Sequence, residues 1–268
     1  MSSHAATFAK LHQGPDLLIL PNAWDAGSAR VIEHAGAKAI ATSSAAVAWA
    51  HGFPDGEALA PEQLLATVRA IARVVSVPVS ADIEAAYASD ADAAAAFAAR
   101  VIDAGAVGVN IEDGNSPPDL LVAKIDALRE AGAKKDVDLW INARIDVYLR
   151  RLAEGDAAYK ETLARAKRYA EAGANSIFVP GIADKTLIGK FAKEIALPLN
   201  VLAWPNLPDA ATLKSLGVRR LSAGSGLAKA VLSHTHALTS EFLSTGRSEL
   251  FAGGPLAQLN LNALMKRE

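Results

Sequence analysis

Four times along the chain, a glycine between small or apolar residues ends a helix-patterned stretch and is followed by a short apolar run. The tripeptides are Ala35-Gly36-Ala37, Ala104-Gly105-Ala106, Ala172-Gly173-Ala174 and Leu216-Gly217-Val218. Glycine there supplies the left-handed residue that terminates a helix, and small neighbours let the helix turn tightly back under a sheet. A chain that keeps repeating helix, glycine, strand is committed to alternating α/β architecture.

The rest of the chain fits that rhythm. Strands are predicted at Leu17–Leu20, Ala39–Ala41, Val77–Ala81, Gly108–Ile111, Leu139–Ala143, Ser176–Val179, Leu199–Ala203 and Arg220–Ser222. Helices are predicted between them, and a last long one spans Leu227–Ser244. Eight strands and eight helices at roughly 30-residue spacing predict a closed (β/α)₈ barrel. A doubly wound open sheet is the alternative, but no G-x-G-x-x-G follows the first strand. The 268 residues, 51% of them apolar, suit one such domain with a sizeable core. Residues 245–268 form a tail with apolar spots at Leu250, Phe251, Leu256, Leu259, Leu261 and Leu264. Because a complete helix layer cannot bury Leu250 and Phe251, a partner surface is expected, and exchange of a terminal element is a low-cost route to a symmetric oligomer; a tail folded back over its own barrel is the alternative.

Composition removes several classes of function. Net charge is −2, with the basic residues scattered, so neither a nucleic-acid footprint nor a polybasic membrane patch is present. There is no cysteine, which excludes disulfides, thiolate metal sites and a cysteine nucleophile. No apolar run is long enough to span a bilayer, and Met1–Gln13 lacks a signal-type apolar core, so a cytoplasmic protein is expected.

In a barrel of this kind the active site lies at the C-terminal ends of the strands. Those ends carry Ser43 and Ser44, Asp82 and Glu84, Glu112 and Asp113, Arg144 and Asp146, then Asn206 and Ser225. If the strand runs on through Asp82, Asp82 and Glu84 point to one side, since residues i and i+2 of a strand do. Acids gathered around one arginine call for a further cation, and a hard divalent ion with oxygen ligands is the usual answer. The planar fork of Arg144 suits a substrate carboxylate or enolate. The short stretch Gly224-Ser225-Gly226 is open to two readings, plain turn chemistry or an anion held on backbone N–H groups.

Taken together, Ala81-Asp82-Ile83-Glu84, Ile111-Glu112-Asp113, Asn142-Ala143-Arg144 and Pro54-Asp55 resemble the phosphoenolpyruvate mutase/isocitrate lyase superfamily, from Pro21-Asn-Ala-Trp-Asp25 to about Ser225. The resemblance implies a Mg²⁺-dependent barrel, with Mn²⁺ able to stand in, that acts on 2-oxo-carboxylates through an enolate of pyruvate type. By position, Asp82 resembles the direct metal ligand, and Glu84 and Glu112 resemble residues that hold the metal through its waters. Arg144 resembles the residue that binds the oxo-acid oxygens. Ser43 and Ser44 stand where backbone amides take the substrate carboxylate, and Asp55 where the family has a mobile acidic loop residue. Arg144, Asp55 and Glu112 are thus the candidate catalytic residues, and Ser43, Ser44, Arg144 and Asn206 the candidate substrate contacts. The family also implies homotetramers, dimers of dimers with the last helix exchanged between subunits.

Departures from the pattern narrow the chemistry. Where the family's lyases carry Lys-Cys-Gly, and its mutase and phosphonopyruvate hydrolase a lysine-bearing loop, this chain has Gly114-Asn115-Ser116-Pro117-Pro118. His51, Asn115, Ser116 and Asn206 are the candidates to replace it. The expected function is therefore a Mg²⁺-dependent lyase or decarboxylase of a small 2-oxo- or 2-hydroxy-(di)carboxylate. The alternatives are a phosphonomutase or phosphonopyruvate hydrolase, and a non-catalytic metabolite-binding barrel. The residues 46–56 and 114–118 are expected to be mobile loops.

Overall fold

The computed structural model describes residues 3–252 and 259–266. The strands are β1 (Leu18–Leu20), β2 (Asn22–Ala23), β3 (Ile40–Thr42), β4 (Val79–Asp82), β5 (Gly108–Glu112), β6 (Trp140–Arg144), β7 (Ser176–Phe178), β8 (Leu199–Leu202) and β9 (Arg220–Ser222). All pair in parallel, in the order β1-β9-β8-β7-β6-β5-β4-β3-β2. The two ends of that order are one strand interrupted by Pro21. Proline has no N–H to give a ladder, but its carbonyl accepts from Ala41 N at 3.1 Å. So β1 pairs with β9, β2 pairs with β3, and the ring closes as a (β/α)₈ barrel.

The helices are α1 (Ser3–Gln13), α2 (Ala26–His34), α3 (Ser44–Ala50), α4 (Pro61–Val74), α5 (Ala91–Asp103), α6 (Pro118–Lys134), α7 (Gly155–Glu171), α8 (Lys185–Glu194), α9 (Ala210–Ser215), α10 (Gly226–Thr245) and α11 (Leu261–Met265). The four predicted terminators hold: Gly36, Gly105, Gly173 and Gly217 have φ between +93° and +105°. At Gly105 a Cβ would also come within 2.6 Å of Ala72, so the turn cannot widen for a side chain.

Three helices were not anticipated: two nearer the barrel, and α11 in the tail. The first, α1, plugs the N-terminal end of the barrel. Its Phe8 is fully buried among Leu18, Leu20, Val107 and Trp140, and a Cβ on Gly108 would lie 2.6 Å from the Phe8 ring. The second, α3, occupies the first half of what reads as a small-residue loop. Ser43 caps it, its Oγ accepting from Ala46 N at 3.5 Å, and alanine is the best helix former. Residues 46–50 are therefore helix rather than loop.

The last long helix leaves the barrel. Only Ala228 of α10 is buried, while Leu227, Val231, Leu232, Phe242 and Leu243 are exposed. Beside its root the outer face of β1 is bare: Ile19 is 57% exposed, and a groove of about 680 Å³ runs between it, Val31, Ile32 and Leu227. The tail returns to its own barrel at α11, where Arg30 Nη2 donates to Leu264 O at 2.8 Å. Phe251 is exposed and packs on Phe242, with ring centroids 5.1 Å apart. Leu256 and the side chain of Leu250 lie outside the described residues. No described helix is long and apolar enough to cross a membrane.

Candidate active site

The C-terminal strand ends surround a cavity of about 190 Å³. One side is polar, with Asn22, Ser43, Ser44, Asp82, Asn110 and Arg144; Asp55 joins it from the loop after α3. The facing side is an apolar wall of Leu149, Phe178, Pro180, Leu202 and Trp204. Larger grooves of about 490 and 680 Å³ lie on the outer surface, away from these acids.

Asp82 ends β4 and is buried. Its Oδ2 accepts from Ser44 N at 3.1 Å, and its own N–H donates to Thr42 Oγ1 at 2.8 Å. Its Oδ1 is buried without a hydrogen-bond partner. Burial raises the carboxyl above its usual range, against the pull of Arg144. Because the Ser44 amide is engaged by Asp82, it is not the open amide cradle expected for a substrate carboxylate.

Glu84 reaches the site by a route the sequence did not suggest. The strand stops at Asp82, and Glu84 has φ +50°, followed by Ala86 at +69° and Tyr87 at +50°. A left-handed turn, rather than strand alternation, places its carboxylate. Lys124 on α6 braces the turn, its Nζ donating to Ala85 O and Ala88 O at 2.7 Å each. The Glu84 carboxylate accepts from Glu57 N at 2.8 Å and from Tyr87 Oη at 3.1 Å. Burial, then Asp82 and Asp55, push it up to about 7.

Glu112 and Arg144 are cross-strand partners, because β5 and β6 pair them in register. Arg144 Nη1 lies 2.5 Å from Glu112 Oε2, and Nε and Nη2 reach Asp146 Oδ1 and Oδ2 at 2.7 and 3.0 Å. Arg150 adds Nε to Asp146 at 2.9 Å and Nη2 to Glu112 at 3.4 Å. Burial pushes Glu112 up to about 8 although Arg144 draws it down. Asp113 faces the other way: it accepts from Asp146 N, Arg165 Nη1 and Tyr169 Oη at 2.8–2.9 Å. It ties β5 to β6 and α7 and does not line the cavity.

Of the remaining candidates, Ser225 lines the cavity. Asn206 does not: it is exposed in a left-handed turn, φ +66°. His51 Nε2 lies 2.9 Å from Thr67 Oγ1, so the ring is held to α4. Asn115 is exposed, and Ser116 N donates to Asp113 O at 2.8 Å within a tight turn. Sequence reasoning missed Asn22, whose Oδ1 accepts from Gly224 N at 2.8 Å, and Asn110. The signal for Asn110 was available, since it stands one strand period before Glu112.

Among the described residues no three acidic or histidine side chains converge as direct ligands of one ion. The site offers instead one buried, unpartnered carboxylate oxygen with the carboxylates of Glu84 and Glu112 near it, both raised by burial. That donor set fits a hard divalent ion that keeps most of its waters.

The phosphoenolpyruvate phosphomutase family model matches residues 8–243. An uncharacterised Mycobacterium tuberculosis protein is 36% identical over 224 residues, 82% of each chain. The oxaloacetate decarboxylase of Pseudomonas fluorescens SBW25 is 29% identical, over 87% of this chain and 84% of its own. The 2-methylisocitrate lyase of Escherichia coli K12 is 33% identical over 65% of this chain, which spans only 61% of that enzyme's length. A solved Burkholderia cenocepacia J2315 protein, provisionally assigned as a phosphonomutase, is 37% identical with a TM-score of 0.85, over 89% of this chain and all of its own. The chain belongs to the phosphoenolpyruvate mutase/isocitrate lyase superfamily. Members such as the 2-methylisocitrate lyases and oxaloacetate decarboxylases are carbon–carbon lyases.

Proposed function

We propose that this chain is a Mg²⁺-dependent lyase or decarboxylase of a small 2-oxo- or 2-hydroxy-(di)carboxylate, with Mn²⁺ able to replace Mg²⁺. The observation that carries the reading is the unpartnered, buried Oδ1 of Asp82 in a cavity lined also by Asp55 and Arg144. Asp82 would hold the ion directly, and Glu84 and Glu112 through its waters. When bound, Mg²⁺ supplies a Lewis acid for the oxygen on which negative charge develops.

Arg144 has five N–H groups, of which Asp146 and Glu112 take three. The rest are available to the oxo-acid oxygens, and the buried Asp146 fixes the plane of the fork. Ser43 takes the substrate carboxylate beside Asp82, while Ser44, whose amide Asp82 engages, holds the metal-binding carboxylate in place. In a decarboxylation the C3–C4 bond breaks, CO₂ leaves towards the apolar wall, and the electron pair settles on the 2-oxo oxygen as the pyruvate enolate. Bond cleavage of this kind needs no general acid, which suits a cavity lined by neither cysteine, histidine nor lysine. The enolate then takes up one solvent proton at C3, and Asp55, which lines the cavity from an exposed loop position, is placed to relay it. A phosphonate dianion would find no lining cation besides Arg144, so C–C cleavage is the favoured chemistry.

The test is pyruvate release from a panel of oxaloacetate, alkyl-substituted 2-hydroxy-diacids and phosphonopyruvate, with and without EDTA. Release that stops with EDTA and returns with Mg²⁺ is expected for a C–C substrate. Turnover unaffected by EDTA, or of phosphonopyruvate alone, overturns the proposal.

The same reading extends to assembly. In the proposed assembly the exposed apolar residues of α10 pack into the bare groove beside β1 of a second copy; the exposure of both surfaces supports this. Exchange of α10 between two copies fills both grooves, and two such dimers make the tetramer.

A further inference from the structure

Among the described residues Arg220 is a buried charge that the mechanism above does not use and that no ion pair takes up. Arg220 starts β9, is fully buried and is among the largest buried side chains of the protein. Its Nε donates to Ser222 Oγ at 2.9 Å and its Nη2 to Asn110 Oδ1 at 3.1 Å. In the ring order β9 and β5 stand opposite one another, so the side chain crosses the barrel lumen. Both residues it holds line the cavity, which places the guanidinium directly beneath the cavity floor. Its Nη1 is buried without a partner.

No carboxylate pairs with it among the described ion pairs, so the charge is compensated only at a distance. Below it lies His12, which burial and then Arg220 itself pull down to about 3, so the ring is neutral. Asp82 is the carboxylate whose attraction it feels. Burial lowers Arg220 to about 9, which leaves it a cation at neutral pH. A buried charge without an ion-pair partner is costly, and an apolar side chain in its place would remove that cost.

We infer that Arg220 is a positioning residue for the cavity: it fixes Asn110 and Ser222 in the floor and supplies positive potential that lets an acid-lined cavity accept an anionic substrate. The inference rests on the reading of this site as one that binds Mg²⁺ and an oxo-acid. It makes a signature that mere structural damage does not. A fixed cation under the floor repels a metal ion and attracts an anion, so its removal moves the two affinities in opposite directions.

The experiment is titration calorimetry of Mg²⁺ alone, and of oxalate at saturating Mg²⁺, on wild type, Arg220→Met and Arg220→Lys. In Arg220→Met, Mg²⁺ binding is expected to tighten several-fold and oxalate binding to weaken about tenfold. Arg220→Lys, which keeps the charge and loses the fork, is expected to hold wild-type Mg²⁺ affinity and weaken oxalate less. Both affinities unchanged in Arg220→Met, or both weakened together, overturns the role of Arg220 alone. If Arg220→Met does not fold, Arg220→Lys decides, and wild-type affinity for both ligands overturns the inference. Wild type that binds neither Mg²⁺ nor oxalate overturns the site reading together with the inference built on it.

Discussion

The plug under the barrel makes stability depend on pH in a way that can be worked out from one residue. His12 on α1 is buried, stacks on Trp140 with ring centroids 4.2 Å apart, and has Nδ1 2.8 Å from Phe8 O. Burial and Arg220 pull it down from the usual range to about 3. In the folded chain it therefore stays neutral until about pH 3, whereas an unfolded histidine takes up a proton below about 6.5. Between those values the unfolded chain binds more protons, so stability is lost as pH falls through that window. From pH 7 to pH 5 the loss from this one group is about 2 kcal/mol, against about 5–15 kcal/mol for a typical domain. Urea unfolding of wild type and His12→Gln at both pH values checks it. All other groups titrate in both proteins, so the change in the stability gap between them isolates His12. The gap is expected to move by about 2 kcal/mol in favour of the glutamine variant at pH 5. An identical gap at both pH values refutes the argument.

Three further outcomes are expected. Asp82→Asn keeps an acceptor for Ser44 N but loses the charge, so Mg²⁺ affinity by calorimetry should fall at least tenfold with an unchanged circular dichroism spectrum. Arg144→Lys loses the fork that reaches Asp146 at two points, so oxalate binding should weaken by about 1–3 kcal/mol; wild-type affinity would make the arginine purely structural. Truncation after Ser244 should leave an oligomer measured by light scattering at micromolar concentration intact, because α10 stays in the chain, whereas removal of residues 226–268 should yield a monomer. A full chain with a mass near 28 kDa would end the helix-exchange proposal.

The barrel was legible because its punctuation is local. Each terminating glycine and the apolar run after it lie within a few residues, and the strand ends then follow from the order of the elements. Asp82 and Arg144 reach the cavity that way, since a strand end carries its last side chain there wherever the strand pairs, and Glu112 stands beside it on Arg144. What escaped depends on contacts between distant segments. Phe8 makes α1 a plug only because Gly108 leaves room for its ring. Asp113 looks like a site acid beside Glu112 until Arg165 and Tyr169, on α7, claim it. Glu84 was placed in the site for the wrong reason, because nothing local announces that three of the four residues 84–87 are left-handed. Asn206 sits at the right strand end, but its turn carries it to the surface.

The strand broken at Pro21 also sets a timetable. Leu18 pairs with Arg220, about two hundred residues later in the chain. At about 5–20 residues per second of synthesis, β1 waits on the order of 10–40 s for its neighbour to exist. Meanwhile β2 has β3 only twenty residues away, and α1 lacks Trp140, the ring on which His12 stacks. The unpaired edge of β1, with the apolar Leu18 and Leu20, is thus the surface that a nascent chain must keep from other chains the longest. Its pairing with β9 is the step at which the ladder becomes a ring.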